Sequence, residues 1–320
     1  MKSWKVRFVL LGVGQAASML TSSILQIAIV WYLTQTTLSP TIVTLSTLAG
    51  YLPRAILGLF IGVFIDRFDR KRILIFADMI IALAALALAA VAFFGEIPIW
   101  LIFAMLCVRS VGAAFHTPSL NAVVPTIVPR EQLTRCAGIT QGFESVSLIL
   151  SPALAALLFK VWDLSAIILL DVVGAAVAIS IVTILPIARY AVDRGSKRLH
   201  IWRDTKEGLQ VLRRVPGLMA VMVISSVYAF IYFPIGSLYP LITMSYFGGG
   251  VTESSFVEIA FSSGTLCGAF VLGLVGNRIR RLGGITASIG VYGVGLAAVG
   301  LLPPSGLGIF IVLSALMGLT

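Results

Sequence analysis

Arg109 and His116 stand seven residues apart in one long apolar run, so a helix carries them on nearly the same face. Glu144 and Asp171 lie inside two further apolar runs, and Arg54 and Asp78 inside two more. A charge at the middle of a bilayer costs about 2.5–3.5 kcal/mol on insertion scales, so such a residue turns towards a partner, a cavity or a proton. An acid that takes up and releases a proton there is what an ion-coupled carrier needs. Glu144, Asp171 and Arg109 are the candidates for that chemistry. The same residues could equally form a fixed ion pair that holds helices in place. For His116 a hydrogen-bonded imidazole between helices is the plainer reading, with a substrate-facing role beside it. Asp78 reads as lying near one end of its run and Arg54 as a structural partner, so both carry less weight.

The elements that must position these groups follow from composition. Hydrophobic residues make up 59% of the 320 residues and charged residues 11%, against roughly 25% charged in a soluble domain. Mean hydropathy is +1.04. A helix needs about 20 apolar residues to cross a bilayer. Spans are predicted over residues 6–33, 40–65, 72–94, 98–127, 136–159, 164–188, 217–247, 254–275 and 284–302, with a tenth run beginning at Leu307. Runs this long argue against a closed β-barrel, so the expected fold is an all-α integral membrane protein. The first run follows Lys2, Lys5 and Arg7 without a convincing cleavage site, and reads as an uncleaved span.

Several spans carry polar residues three or four apart, hence on one face. The first has Gln15, Ser18, Ser22 and Gln26; the fifth has Thr140, Glu144, Ser147 and Ser151. The seventh has Ser225, Tyr228, Tyr232, Gly236, Tyr239 and Thr243, with Pro234 and Pro240 expected to bend it. The eighth has Glu258, Ser262 and Thr265. These faces are expected to converge on one chamber. A tyrosine-lined chamber with few charges suits a bulky, mostly apolar substrate, cationic or neutral. Gln15, Ser22, Gln26, His116, Tyr228, Tyr232 and Tyr239 are the candidate substrate contacts. Ordinary helix packing by small and hydroxyl residues would leave the same pattern.

Other chemistry finds little support. Gly12-x-Gly14 falls inside the first span rather than between a strand and a helix, and no Gly-x4-Gly-Lys-Ser/Thr loop occurs. Cys107, Cys136 and Cys267 lie singly, and His116 and His200 are far apart, so no metal motif or disulfide framework is expected. The net charge of +10 sits in turns rather than on a face interleaved with aromatics, which argues against nucleic acid. No cofactor is expected.

The charges also repeat. Gly62, Asp66, Arg67 and Arg70 match Gly273, Asn277, Arg278 and Arg281 at a constant offset of 211. A repeated basic turn points to two related halves. Residues 189–216 form the only long polar stretch, so residues 1–188 read as a six-helix bundle, 189–216 as a linker and 217–320 as an incomplete second bundle. All of the 23 basic residues except Arg54, Arg109 and Lys160 fall on one side of this topology. That side is expected to be cytoplasmic, with the N-terminus.

The arrangement resembles the major facilitator superfamily, whose turn after the second helix runs Gly-x-x-x-Asp-Arg-x-Gly-Arg-Arg/Lys. Gly62, Asp66, Arg67, Arg70 and Lys71 match it, and Asp69 replaces the later glycine, a mild change if Asp69 is left-handed. A stop-transfer turn that only fixes topology would look similar. Drug–proton antiporters of that superfamily carry a glycine-rich pattern on the fifth helix; here Gly138, Ser147, Ser151, Pro152, Ala155 and Ala156 keep its spacing in degenerate form. The stretch Arg109 to Pro125, continuing through Val128-Pro129-Arg130-Glu131-Gln132-Leu133, is similar to the fourth helix and following turn of macrolide-efflux-type exporters, and Ser151-Pro152 and Asp171-Val-Val-Gly174 extend the likeness.

The resemblance implies a secondary exporter in a bacterial plasma membrane. It would move hydrophobic drugs against protons by alternating access, with membrane lipid, a small hydrophobic substrate and protons as partners. Those exporters have twelve spans, so this chain is expected to lack the last two and part of the tenth. Siderophore or lipid export remains open. So does a non-transporting membrane protein, a truncated remnant or a scaffold for an ATP-driven efflux partner, which a native end at Thr320 would favour.

Topology is directly testable. A single cysteine introduced beside Lys197 is expected to resist an impermeant thiol reagent in intact cells and to react once the membrane is opened. Labelling from outside would reverse the assignment.

Overall fold

The computed structural model of the chain describes residues 4–65, 68–187, 210, 217–275 and 281–320. Ten helices carry the fold: α1 (Trp4–Thr37), α2 (Pro40–Ile65), α3 (Arg70–Phe94), α4 (Ile99–Ile127), α5 (Leu133–Val161), α6 (Leu164–Ile184), α7 (Leu218–Ser237), α8 (Val251–Val275), α9 (Arg281–Gly300) and α10 (Leu307–Gly318). Among the described residues, eight helical segments are long and apolar enough to cross a bilayer. α2 adds 26 residues with Arg54 its one charge, and α10 is a shorter apolar helix. The fold is therefore all-α and of membrane-spanning character. The expected linker, apart from Gln210, lies outside the described residues.

α1–α6 pack on one another, chiefly α1 on α5 and α6, α2 on α4, and α3 on α4 and α6. α8, α9 and α10 form a second group, with α7 against α2 and α8 against α5. The first group has a large apolar core at each end, and a small one of Ile61, Ile65 and Ala114 between α2 and α4. At the end of the basic turns, Phe8, Leu11, Leu74, Val123, Ile127 and Val182 pack together. At the opposite end, Leu25, Ile29, Trp31, Leu88, Ile102 and Ile168 do, and Met244 and Val251 of the second group join them. The two groups are thus fastened at the Trp31 end. The polar side chains lie between the two large cores.

The basic turn works as a clamp inside the first group. Asp69 is extended (φ −63°, ψ 106°), not left-handed as its place in the motif implied. Its carboxylate accepts from the backbone N–H groups of Lys71 and Arg72 and so caps α3. Lys71 donates to the carbonyls of Thr183 (2.9 Å) and Leu185 (2.8 Å), where the end of α6 exposes unpaired acceptors and negative dipole. Arg70 donates to the carbonyl of Ala122 on α4 at 3.3 Å. Asp66, Arg67, Asn277 and Arg278 lie outside the described residues. Gly273 and Arg281 fall in the last turn of α8 and at the first residue of α9, their surroundings likewise outside them.

Several boundaries differ from those expected. α1 continues to Thr37, because the hydroxyls of Thr34, Thr36 and Thr37 return to carbonyls one turn back. α8 begins at Val251, where the Glu253 carboxylate accepts from the Gly250 N–H at 2.7 Å and caps the first turn. The seventh span was expected to be one bent run. It breaks at Leu238, because Pro240 has no N–H to continue the ladder. The chain resumes as the short helix Tyr239–Leu241 and a π-helical turn, Ile242–Tyr246, in which Phe247 N–H reaches the Ile242 carbonyl at 3.2 Å.

Small residues set the closest approaches. A Cβ on Gly174 of α6 would overlap the Thr21 side chain of α1. Gly264 and Gly268 of α8 lie against the α10 backbone at Ala315 and Leu319, and Gly318 lies against the Phe261 carbonyl, where a Cβ at any of the three would collide with backbone. Gly174→Val is expected to destabilise the chain by about 1–3 kcal/mol through overpacking. Adding Thr21→Ala should recover part of the loss. Thermal unfolding in detergent reads both, and an unshifted midpoint in the single variant would mean that α1 and α6 can part freely.

Candidate functional site

Close approach at Gly174 brings the hydroxyl row of α1 against Asp171. Asp171 is 1% exposed. Its Oδ1 accepts from Ser22 at 2.7 Å and from Thr21 at 3.4 Å, and its Oδ2 is ion-paired with Arg109 of α4. One carboxylate therefore ties α1, α4 and α6 together, and a buried charge is answered by an opposite charge and hydroxyl donors. Two of the expected proton candidates thus meet each other.

A second pair lies beside it. His116 Nε2 stands 3.2 Å from Asp78 Oδ1 across α4 and α3. Asp78 is 3% exposed, and its Oδ2 has no hydrogen-bond partner within the described protein. Gly112, one turn before His116, allows this approach: a Cβ there would meet Ile81 at 2.5 Å and the Ala77 carbonyl at 3.2 Å. The sequence reading set Asp78 aside as lying near the end of its span. It lies in the half of α3 nearer the basic turn, and is nonetheless buried there against α4.

Arg109 and both members of the second pair line a cavity of about 260 Å³ among α1–α6, with Ser22, Gln26, Arg54 and Glu144. Arg54 donates to Thr117 Oγ1 at 3.4 Å. Glu144 is half-buried and has no hydrogen-bond or ion-pair partner among the described residues. It also lines a wider cavity of about 470 Å³ towards the basic-turn end, with Gln15, Asn121, Thr140 and Gln141. Gln15 is 4% exposed, and neither atom of its amide finds a hydrogen-bond partner.

A third cavity, about 330 Å³, lies between the two helix groups. Its wall includes Gln26, Tyr51 and Ser151 of the first group and Tyr232, Tyr239, Glu258 and Tyr292 of the second. Gln26 and Tyr51 also line the charged cavity, so the two share a wall. Tyr232 stacks on Tyr228 at 5.5 Å between centroids and meets Tyr292 at 5.5 Å. Tyr239 is largely sequestered at 4% exposed, its hydroxyl 3.4 Å from that of Tyr292. Tyr228 is half-buried against Tyr292 and lines none of these three cavities. Glu258 accepts from the Trp31 indole at 3.3 Å, a bond between the two groups at their fastened end.

The fifth-helix pattern divides. Ser147, Ser151, Pro152, Ala155 and Ala156 are buried, in the half of α5 that runs to the fastened end. Gly138, near the other end of α5, is exposed, with nothing within 4 Å of where its Cβ would stand. Gly62 is likewise open. Sequence reasoning missed Tyr292, on a helix with little polar patterning, and the bond from Trp31 to Glu258, whose partners are 227 residues apart.

Two groups of antiparallel helices with polar chambers inside and between them agree with the family match, which runs over residues 11–320 to the Major Facilitator Superfamily. The chain belongs to that superfamily. It is a multi-pass membrane transporter rather than an enzyme. It is 48% identical over 318 residues to Macrolide efflux protein A of Streptococcus pyogenes, covering 99% of this chain and 78% of the relative. Identity is 49% over 274 residues to Macrolide efflux protein A of Enterococcus faecalis, covering 86% and 85%. Among solved structures, a bacterial homologue of the human lysosomal transporter Spinster, inward-facing and unoccupied, superposes with a TM-score of 0.70 at 15% identity, over 99% of this chain and 73% of that one. The nucleoside transporter NupG gives 0.70 at 13% identity, over 98% and 78%. These two likenesses concern the fold.

Removing one member of the buried pair is expected to cost more than removing both. Arg109→Gln leaves Asp171 uncompensated, a loss of about 3–5 kcal/mol. Arg109→Gln with Asp171→Asn should unfold at a higher temperature than either single variant. Additive losses in thermal unfolding would show that the two residues act independently.

Proposed function

We propose that the chain exports bulky, hydrophobic, macrolide-like compounds by alternating access, driven by protons moving inward. The observation that carries this reading is the tyrosine-walled cavity between the two helix groups, joined through Gln26 and Tyr51 to a charged cavity inside the first. Aromatic faces supply large apolar contact with few polar demands, which suits a large amphiphile. The names of the two macrolide-efflux relatives support the substrate class.

The excess of basic residues at one end reads as cytoplasmic, with the N-terminus and the 189–216 connection on that side of a bacterial plasma membrane. In that orientation the Trp31 end is outer and fastened, and the cavity of Gln15, Thr140 and Glu144 lies towards the cytoplasm. Substrate then enters from inside, past Gln15 and Glu144, to reach Gln26, Tyr232 and Tyr292. Export follows when the bond from Trp31 to Glu258 parts and the basic-turn ends close.

The candidate acids take different parts in this scheme. Asp171 is engaged on both oxygens and keeps Arg109 and α1 in place. Glu144, unpartnered on the wall shared by two cavities, is the acid open to a proton or to a cationic group of the substrate.

Cells expressing the chain are expected to accumulate less radiolabelled erythromycin than control cells, and to lose the difference when a protonophore is added. Tyr232→Ala should weaken erythromycin binding about tenfold, the equivalent of about 1.4 kcal/mol. Equal accumulation with and without the chain would end the export reading. Export indifferent to the protonophore would end the proton-driven part of it.

A further inference from the structure

Asp78 and His116 are the buried ionisable groups that the scheme above leaves unused. Asp171 has no side on which to accept a proton without giving up Arg109, Ser22 or Thr21. Asp78 differs. One oxygen meets His116 at 3.2 Å, and the other is buried with no hydrogen-bond partner in the described protein. Both members line the charged cavity, and His116 keeps 15% of its side chain accessible. The close α3–α4 approach at Gly112 fixes their separation.

Resting on the proton-driven reading, we propose that the Asp78–His116 couple is a further proton-binding site of this transporter, distinct from Glu144. In its unloaded form Asp78 is a carboxylate accepting from the Nε2–H of a neutral His116. One proton from water then adds to the couple, on Asp78 Oδ2 or on the imidazole, and turns its net charge from negative to neutral. Release to water reverses the step. No other bond is made or broken.

The surroundings make that change of charge felt. Arg54 of α2, Arg109 of α4, Asp171 of α6 and Glu144 of α5 are the charged groups around the couple, and α1 presents only Ser18, Ser22, Ser23 and Gln26. Tyr51 stands on the wall shared with the interbundle cavity. With Arg109 held by Asp171, the unloaded couple faces Arg54, and loading it removes that attraction. Arg54 also reaches Thr117, which lines the wider cavity with Glu144. A proton on Asp78–His116 therefore alters the field in the chamber that substrate enters without occupying substrate space.

The test separates this site from the reading on which it rests. Wild-type chain, Asp78→Asn, His116→Gln and Asp78→Glu are compared at matched membrane abundance for uphill, protonophore-sensitive erythromycin export and for downhill erythromycin exchange at equal pH on both sides. Asp78→Asn is expected to lose uphill export and its dependence on pH while keeping downhill exchange, and His116→Gln to lose the pH dependence of uphill export. Asp78→Glu should restore part of the uphill export. If the wild type is itself insensitive to the protonophore, the proton-driven reading fails and the site falls with it. If the wild type is sensitive and both neutral variants export uphill with an unchanged pH profile, the reading stands and this site is wrong. Parallel loss of uphill export and downhill exchange in both variants would also overturn it, since that marks a structural pair. Should Asp78→Asn not reach the membrane, His116→Gln decides, because it leaves the acid in place.

Discussion

Charge inside hydrocarbon has to be answered within the protein, and the rest of the first helix group is arranged around that requirement. Arg109 and Asp171 answer each other, and the hydroxyls of Thr21 and Ser22 complete the carboxylate. The pair needs α1, α4 and α6 at one depth. Gly174 permits the first contact, and the glycine at 112 permits α3 to bring Asp78 in beside it. The apolar cores above and below then need only fill space. Trp31 is fully buried in one, and Leu74 and Val123 in the other.

The basic turn illustrates how one short sequence can serve packing as well as topology. A cluster of cations at a membrane face anchors the chain to one side by its charge alone. Here two of them also close helix ends: Lys71 at the carbonyls ending α6 and Arg70 at a carbonyl of α4. Asp69 contributes because its short carboxylate reaches two backbone N–H groups, which glycine cannot do. The departure from the superfamily turn thus gains a helix cap. The cations thus tie α3 to α4 and to α6.

Much of the architecture was legible because a bilayer punishes exceptions. Long apolar runs could only be spans, and Arg109, His116, Glu144 and Asp171 stood out by interrupting them. Their partners were not legible. Ser22 lies 149 residues from Asp171 and Arg109 lies 62 away, so the pairing depends on which helices become neighbours, not on local spacing. Asp78 was undervalued because nearness to the end of a span does not report burial, and its partner His116 comes from another helix. Tyr292 escaped notice because its helix carries few polar residues, and an isolated tyrosine has no periodic signal. Tyr239 was readable as part of a stripe, but the break at Leu238 turns it into the core of the second group.

That break has a mechanical consequence. Met244, just beyond it, packs into the core of the first group, while Tyr239, at its edge, packs into the core of the second. The few residues between are a strap sewn into both bodies. The π-helical turn, its hydrogen bonds reaching one residue further, interrupts the α-helical ladder between them. The strap therefore ties the two bodies together through a segment that is not regular α-helix.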